Sequence, residues 1–201
     1  MGDPLPSPLE WGVAMRPFSG EPESGDLAVI ESCAEVTLVA AIDGLGHGPE
    51  AATAARMAAK VIEEGIGEGV TALVERCHRA LDQTRGASIS LATIDAGHNT
   101  MTWVAIGNVE GRLVERRRPS RAIFPAAGVA GVELPQLQPE TLGLRRGSTL
   151  IFTSDGVQSS FSDSLAASGS PQQVADRILG EHGRSTDDAL VLVVRYLRVT
   201  E

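Results

Sequence analysis

"VTLVAAIDGLGHGPEA", Val36 to Ala51, is the stretch on which the fold turns. An apolar run, which reads as a buried strand, ends in Asp43. Gly44, Gly46 and Gly48 follow, with His47 between the last two, and then helical spacing begins. Pro49 suits a first helical position, and Glu50 suits the positive end of a helix dipole. Ala51, Ala54, Ala55, Ala58, Val61 and Ile62 recur every three or four residues until Gly65, a plausible stop. A helix with so small a face can lie close to a sheet. What needs explaining is a carboxylate at the mouth of a buried strand, surrounded by bare backbone.

Outward from this stretch, "MGDPLPSPLE" carries three prolines and predicts an irregular lead-in over 1–8, with one domain over 9–201. "WGVAMRP" (Trp11–Pro17) and "DLAVIESC" predict strands, and "FSGEPESG" between them predicts a loop. A second helix is expected over about Val70 to Asp82, with Val70, Leu73, Val74, Cys77 and Leu81 on one stripe. Strands follow in "ASISLATID" and "TMTWVAIGNV" around a turn at "AGHN", then in "GRLVERRR", "RAIF" and "STLIFTSDG". Pro171 to Glu181 reads as a helix and "DDALVLVVRYL" as a closing strand. Successive strands without crossover helices point to an α+β fold with antiparallel sheets.

Bulk composition narrows the function classes. The chain has 201 residues, 42% hydrophobic and 21% charged, which is ordinary for a globular protein. Aromatics are only 3%, so Val, Ile, Leu and Ala must build the core. A net charge of −9 disfavours nucleic acid as a partner, although metal ions can reverse the sign locally. Cys33 and Cys77 lack CxxC spacing and read as small buried residues in a reducing compartment. With no leader-like N-terminus and no apolar run long enough for a membrane span, a cytoplasmic protein is expected.

Two strands end alike, in Asp43-Gly44 and in Asp155-Gly156. Asp26 opens another strand, and Asp187-Asp188 open the last one. One such Asp is ordinary turn or cap chemistry. Four at strand ends, if they converge, repel unless cations are present. Oxygen ligands with no Cys/His cluster suit Mg²⁺ or Mn²⁺, and two such ions can activate water and neutralise a phosphoryl group.

Four segments occur in the order found in the PPM-type metal-dependent serine phosphatases: "SGD" at Ser24–Asp26, "DGLGHG" at Asp43–Gly48, "SDG" at Ser154–Gly156 and "TDDALVLVV" at Thr186–Val194. The Asp-Gly-x-Gly-His-Gly form resembles the bacterial SpoIIE-like branch. "WGVAMRPFSGEPESGD", "GNVEG" and the short length resemble the RsbX-type stressosome phosphatases. The resemblance implies a four-layer αββα sandwich with metals at one edge between the sheets. It implies that Asp43 bridges two divalent cations, Mn²⁺ or Mg²⁺, and that the Gly44 carbonyl binds one. Asp155 and Asp187 would ligate the other, with Asp26 at or just behind the ligands. The implied reaction is direct attack of water held between the metals on a phosphoserine or phosphothreonine of a partner protein. The implied partners are phosphorylated STAS-domain proteins of a stressosome, and the implied role is to reset stress signalling.

The chain also departs from the wider family. Leu45 stands where many members place a His proposed as general acid, and no clear counterpart of the phosphate-binding Arg is visible. Arg16 is a loose candidate for that role. His47 reads first as a structural hydrogen-bonding residue and second as a catalyst. Asp95 and His98 read as turn residues, and His78 and His182 as surface residues. Trp11 and Trp103 read as core. Asp188 ranks below Asp187 as a ligand. The basic cluster Arg112, Arg116, Arg117, Arg118 and Arg121 is a solvated hairpin or a docking patch for an acidic partner. Two other classes compete. A weak or inactive interaction module could keep the phosphatase fold. A dinucleotide-binding domain would explain "GLGHG", but it would set Asp43 against a pyrophosphate.

Overall fold

In β3 (Val36–Gly44) every residue after the first is buried, as a strand covered on both faces requires. The computed structural model describes residues 7–116, 118–164 and 168–198. Residues 1–6 of the expected lead-in, and Arg117, lie outside the described residues. β3 is flanked by β2 (Asp26–Cys33) and β4 (Ala87–Asp95), and β5 (Thr100–Ile106) and β8 (Glu140–Gly143) complete an antiparallel sheet ordered β2-β3-β4-β5-β8. A second sheet is ordered β1-β10-β9-β6-β7, from β1 (Leu9–Arg16), β10 (Ala189–Tyr196), β9 (Thr149–Thr153), β6 (Glu110–Val114) and β7 (Arg121–Ile123). All its pairings are antiparallel too. The antiparallel neighbours of β3 exclude the βαβ unit of a dinucleotide-binding domain.

Three apolar layers stack the parts. The alanine face of α1 (Pro49–Glu63) and the Val74 stripe of α2 (Val70–Ala80) pack with Leu38 and Leu91 on the outside of the first sheet. Val39, Trp103, Phe152, Leu192 and Tyr196 fill the space between the sheets. Ile151, Val191, Val174 and Ile178 join the second sheet to α3 (Pro171–His182). The order is helix, sheet, sheet, helix, the four-layer αββα sandwich. α3 starts with a full capping box, in which Ser170 and Gln173 satisfy each other's backbone N–H groups.

Several local readings change. Trp11 is 54% exposed, because β1 is an edge strand and this residue does not face the inter-sheet core. Cys33 is exposed at the end of β2, whereas Cys77 is buried and burial pushes its thiol up to about 12. His78 is half-buried and accepts a hydrogen bond from the Gly131 N–H at 2.9 Å. β8 was invisible in sequence. It lies just past Pro139 in a polar stretch and pairs only along one side, with β5. A 3-10 helix at Ser159–Ser164 was also unanticipated. Asp95 and His98 do form turn chemistry, with Asp95 accepting from both the His98 backbone and its ring.

Two glycines predict opposite effects. A Cβ on Gly12 would lie 2.3 Å from the Gln172 nitrogen in the first turn of α3, whereas one on Gly180 would meet nothing within 4 Å. Gly12→Ala should cost about 1–3 kcal/mol in urea unfolding by pushing α3 off its sheet. Gly180→Ala should add about 0.5–1 kcal/mol. Equal effects from the two would contradict this packing.

Candidate metal centre

The antiparallel register sets the centre of the site. Asp26 and Asp43 are direct cross-strand partners at the open end of β2 and β3. Like charges placed so are destabilising, and both are buried, 2% and 8% exposed. Asp26 is fixed from the other sheet: Ser154 Oγ donates to its Oδ2 at 2.7 Å and accepts from the Leu190 N–H at 2.9 Å. That bridge brings the end of β9, and with it Asp155, to the same edge. Asp187 precedes β10, the strand next to β9, and its Oδ1 accepts from the Asp188 N–H.

Bare backbone makes the approach possible. A Cβ on Gly44 would sit 2.1 Å from the Ala51 carbonyl oxygen, so the first turn of α1 rests on the backbone beside Asp43. A Cβ on Gly156 would sit 1.8 Å from the Asp188 carbonyl oxygen. Gly48, the residue before α1, has φ 76°, a conformation that side chains rarely adopt.

Electrostatics report the convergence. Burial raises Asp43 to about 8, and the charges of Asp26, Asp155 and Asp187 add to the effect. Burial raises Asp26 to about 7, against the Ser154 hydrogen bond, with Asp188, Asp155 and Asp187 contributing. Asp155 is raised by burial and by Asp187, and held down by Asn108 and by the charge of Arg184. Carboxylates from four segments of the chain therefore sit within electrostatic reach of one another.

The donor set suits hard divalent cations. Asp26 Oδ1 and Asn108 Oδ1 are buried oxygens without a hydrogen-bond partner. An unsatisfied buried acceptor is costly, and a cation would satisfy it. Among the described residues no three Asp, Glu, His or Cys side chains form a ready ligand cage. An ion that keeps most of its waters and takes one or two carboxylates needs none.

The other candidates divide. Asp188 is buried and accepts from the Phe18 and Gly25 N–H groups at 2.8 and 2.9 Å, so it tethers two loops. His47 contacts Glu21 Oε1 through Nδ1 at 2.8 Å, and its ring lies 4.6 Å from that of Phe18. Arg16 donates through Nη2 to the Arg184 carbonyl at 2.6 Å. Arg112 sits over the Phe161 ring, Arg118 pairs with Glu115, and Arg121 pairs with Glu140, so much of the basic cluster is spent within the fold. Two residues escaped the sequence reading. Asn108 follows Gly107 in the crossing from β5 to β6 and donates through Nδ2 to Asp155 Oδ2 at 2.7 Å. Arg184 lines a cavity of about 270 Å³ together with Asn108 and Asp155. "GNVEG" marked the first only through resemblance, and nothing local marked the second.

Raised carboxylates give stability a sign against pH. Because the folded values lie above the unfolded ones, the stabilisation is complete in acid and is lost as pH rises through 7 to 8. Metal-free protein should therefore lose roughly 3–10 °C in Tm between about pH 6 and pH 9. Asp43→Asn should flatten that slope, and Mn²⁺ should raise the Tm of the unsubstituted protein more than that of the variant. A flat profile in the unsubstituted chain would contradict the geometry.

Residues 34–197 match the family of stage II sporulation protein E (SpoIIE). The phosphoserine phosphatase RsbX of Bacillus subtilis (strain 168) is 26% identical over 138 residues, 69% of each chain. A structure from work on the bacterial stressosome as a modular system adapted to control secondary messenger signalling superposes with a TM-score of 0.86. It is 28% identical, with 93% of this chain and 99% of that one covered. RsbX in complex with magnesium superposes with a TM-score of 0.85 at 22% identity, over 94% and 95% of the two chains. Among the described residues no helix is long and apolar enough to cross a membrane. The chain belongs to the SpoIIE family and is a serine/threonine phosphatase.

Proposed function

We propose that the chain hydrolyses phosphoserine or phosphothreonine on partner proteins, with two divalent cations, Mn²⁺ or Mg²⁺, held by Asp26, Asp43, the Gly44 carbonyl, Asp155 and Asp187. One observation carries this reading: acidic groups from remote segments meet at the edge between the sheets, and a buried Asp26 oxygen there has no partner. When bound, the cations supply positive charge for the phosphoryl group and acidify the attacking water.

The protein's own residues keep the site in shape. Ser154 aims Asp26, and Asn108 holds Asp155 in place. Gly44 and Gly156 keep side chains out of the space between strand ends and helix. Asp43 stands between Asp26 and Ser88 in the strand register, near the end of β3. Leu45 brings no proton to the leaving serine oxygen, and the ring of His47 is engaged with Glu21. The proton for the leaving oxygen then comes either from water at the cations or slowly from solvent, and the second case is where this reading meets the weak-module alternative.

RsbX acts on phosphoserine by its name, and the likeness to it and to a structure from work on the bacterial stressosome supports phosphorylated STAS-domain stressosome proteins as substrates, with resetting of stress signalling as the role. The test is dephosphorylation of such proteins followed by mass spectrometry, with and without Mn²⁺. Phosphate loss should require the metal and fall by roughly 100-fold or more in Asp43→Asn. Metal-independent activity, or full activity in that variant, would overturn the mechanism. Activity on other phosphoproteins but not on these would remove the stressosome assignment alone.

A further inference from the structure

We propose that the cavity beside Asp155 is the phosphoserine subsite, with Arg184 holding the phosphoryl group and the flanking substrate chain running over Phe124 and Pro125 into the adjoining groove. The inference rests on the phosphatase reading and names how its substrate is held.

The cavity, of about 270 Å³, is lined by the polar Asn108, Glu110, Asp155 and Arg184 and by the apolar Phe124 and Pro125. Arg184 is the only basic residue among those lining it. Its guanidinium makes no hydrogen bond or ion pair with a described residue, yet its charge reaches Asp155. The backbone beneath it is pinned: its N–H donates to the Gly156 carbonyl at 2.7 Å, and its carbonyl accepts from Arg16 Nη2 at 2.6 Å. An unpaired planar fork of donors on a fixed backbone, next to an acidic centre, is the group that recognises phosphate oxygens in pairs. Arg16, the candidate offered by the sequence, is thereby a positioning residue for Arg184.

The apolar part of the lining indicates where the rest of the substrate goes. Phe124 is 79% exposed, and with Pro125 it also lines a second groove of about 640 Å³. That groove runs between β7 and β8, the outer strands of the two sheets, past Trp103, Arg121, Gln138 and Glu140. The exposed Phe124 ring lines both hollows and joins them. An apolar wall with side-chain amides and unpaired strand edges suits an extended polypeptide. Continuity with the phosphoryl cavity argues for the chain that carries the phosphoserine.

Two variants and two substrates test this. Arg184→Ala should weaken binding of inorganic phosphate to the Mg²⁺-loaded protein by roughly 10- to 100-fold in calorimetry. It should raise KM similarly for a small aryl phosphate and for a phosphoserine peptide, with Arg184→Lys intermediate. Phe124→Ser should raise KM for the phosphopeptide by roughly tenfold and for the aryl phosphate, which does not extend into the second groove, by a clearly smaller factor. Unchanged phosphate affinity in Arg184→Ala overturns the subsite. Equal effects of Phe124→Ser on both substrates, or none on either, overturn the path of the chain. If no substrate is turned over at all, the phosphatase reading fails, while calorimetry still decides whether Arg184 holds phosphate.

Discussion

The hydrogen bond from Ser154 to Asp26 joins the two sheets at the edge where the acidic residues gather. Ser154 directly follows β9 in one sheet and Asp26 opens β2 in the other. The same hydroxyl accepts from Leu190 in β10. One side chain thus sets the spacing of three strands at the site, and Asp43, Asp155 and Asp187 take their places relative to it. Without that spacing the carboxylates would be ordinary strand ends and turn caps.

Holding them together works against the fold. Asp26 and Asp43 are cross-strand partners of like charge, both buried, and both hold protons to pH values at which free carboxylates are ionised. The sandwich tolerates this because its three apolar layers supply the offsetting stability. The acidic centre then needs positive charge to work on a phosphate ester. Cations would supply most of it, and Arg184 lines the adjoining cavity without a side-chain hydrogen bond or ion pair to a described residue.

Much of the architecture was legible. The helix over Pro49–Glu63 was readable from Pro49 and the alanine spacing, and α3 from Pro171 onward, because local periodicity and caps are properties of neighbouring residues. The Asp-Gly endings were equally legible. β8 was not, since a short edge strand beside prolines carries no alternation of its own. Trp11 and Cys33 were misplaced because residue type alone cannot tell an inward position on an edge strand from an outward one.

By itself the sequence determined the element types, the carboxylates at strand ends and, through ordered motifs, the kind of chemistry. Tertiary structure alone decided that β10 lies between β1 and β9, that Ser154 reaches Asp26, and that Asn108 and Arg184 border the same cavity as Asp155. The reason is physical. Periodicity reports which face of an element is apolar, whereas the meeting of residues 128 positions apart depends on strand order and register, which arise only when the layers pack.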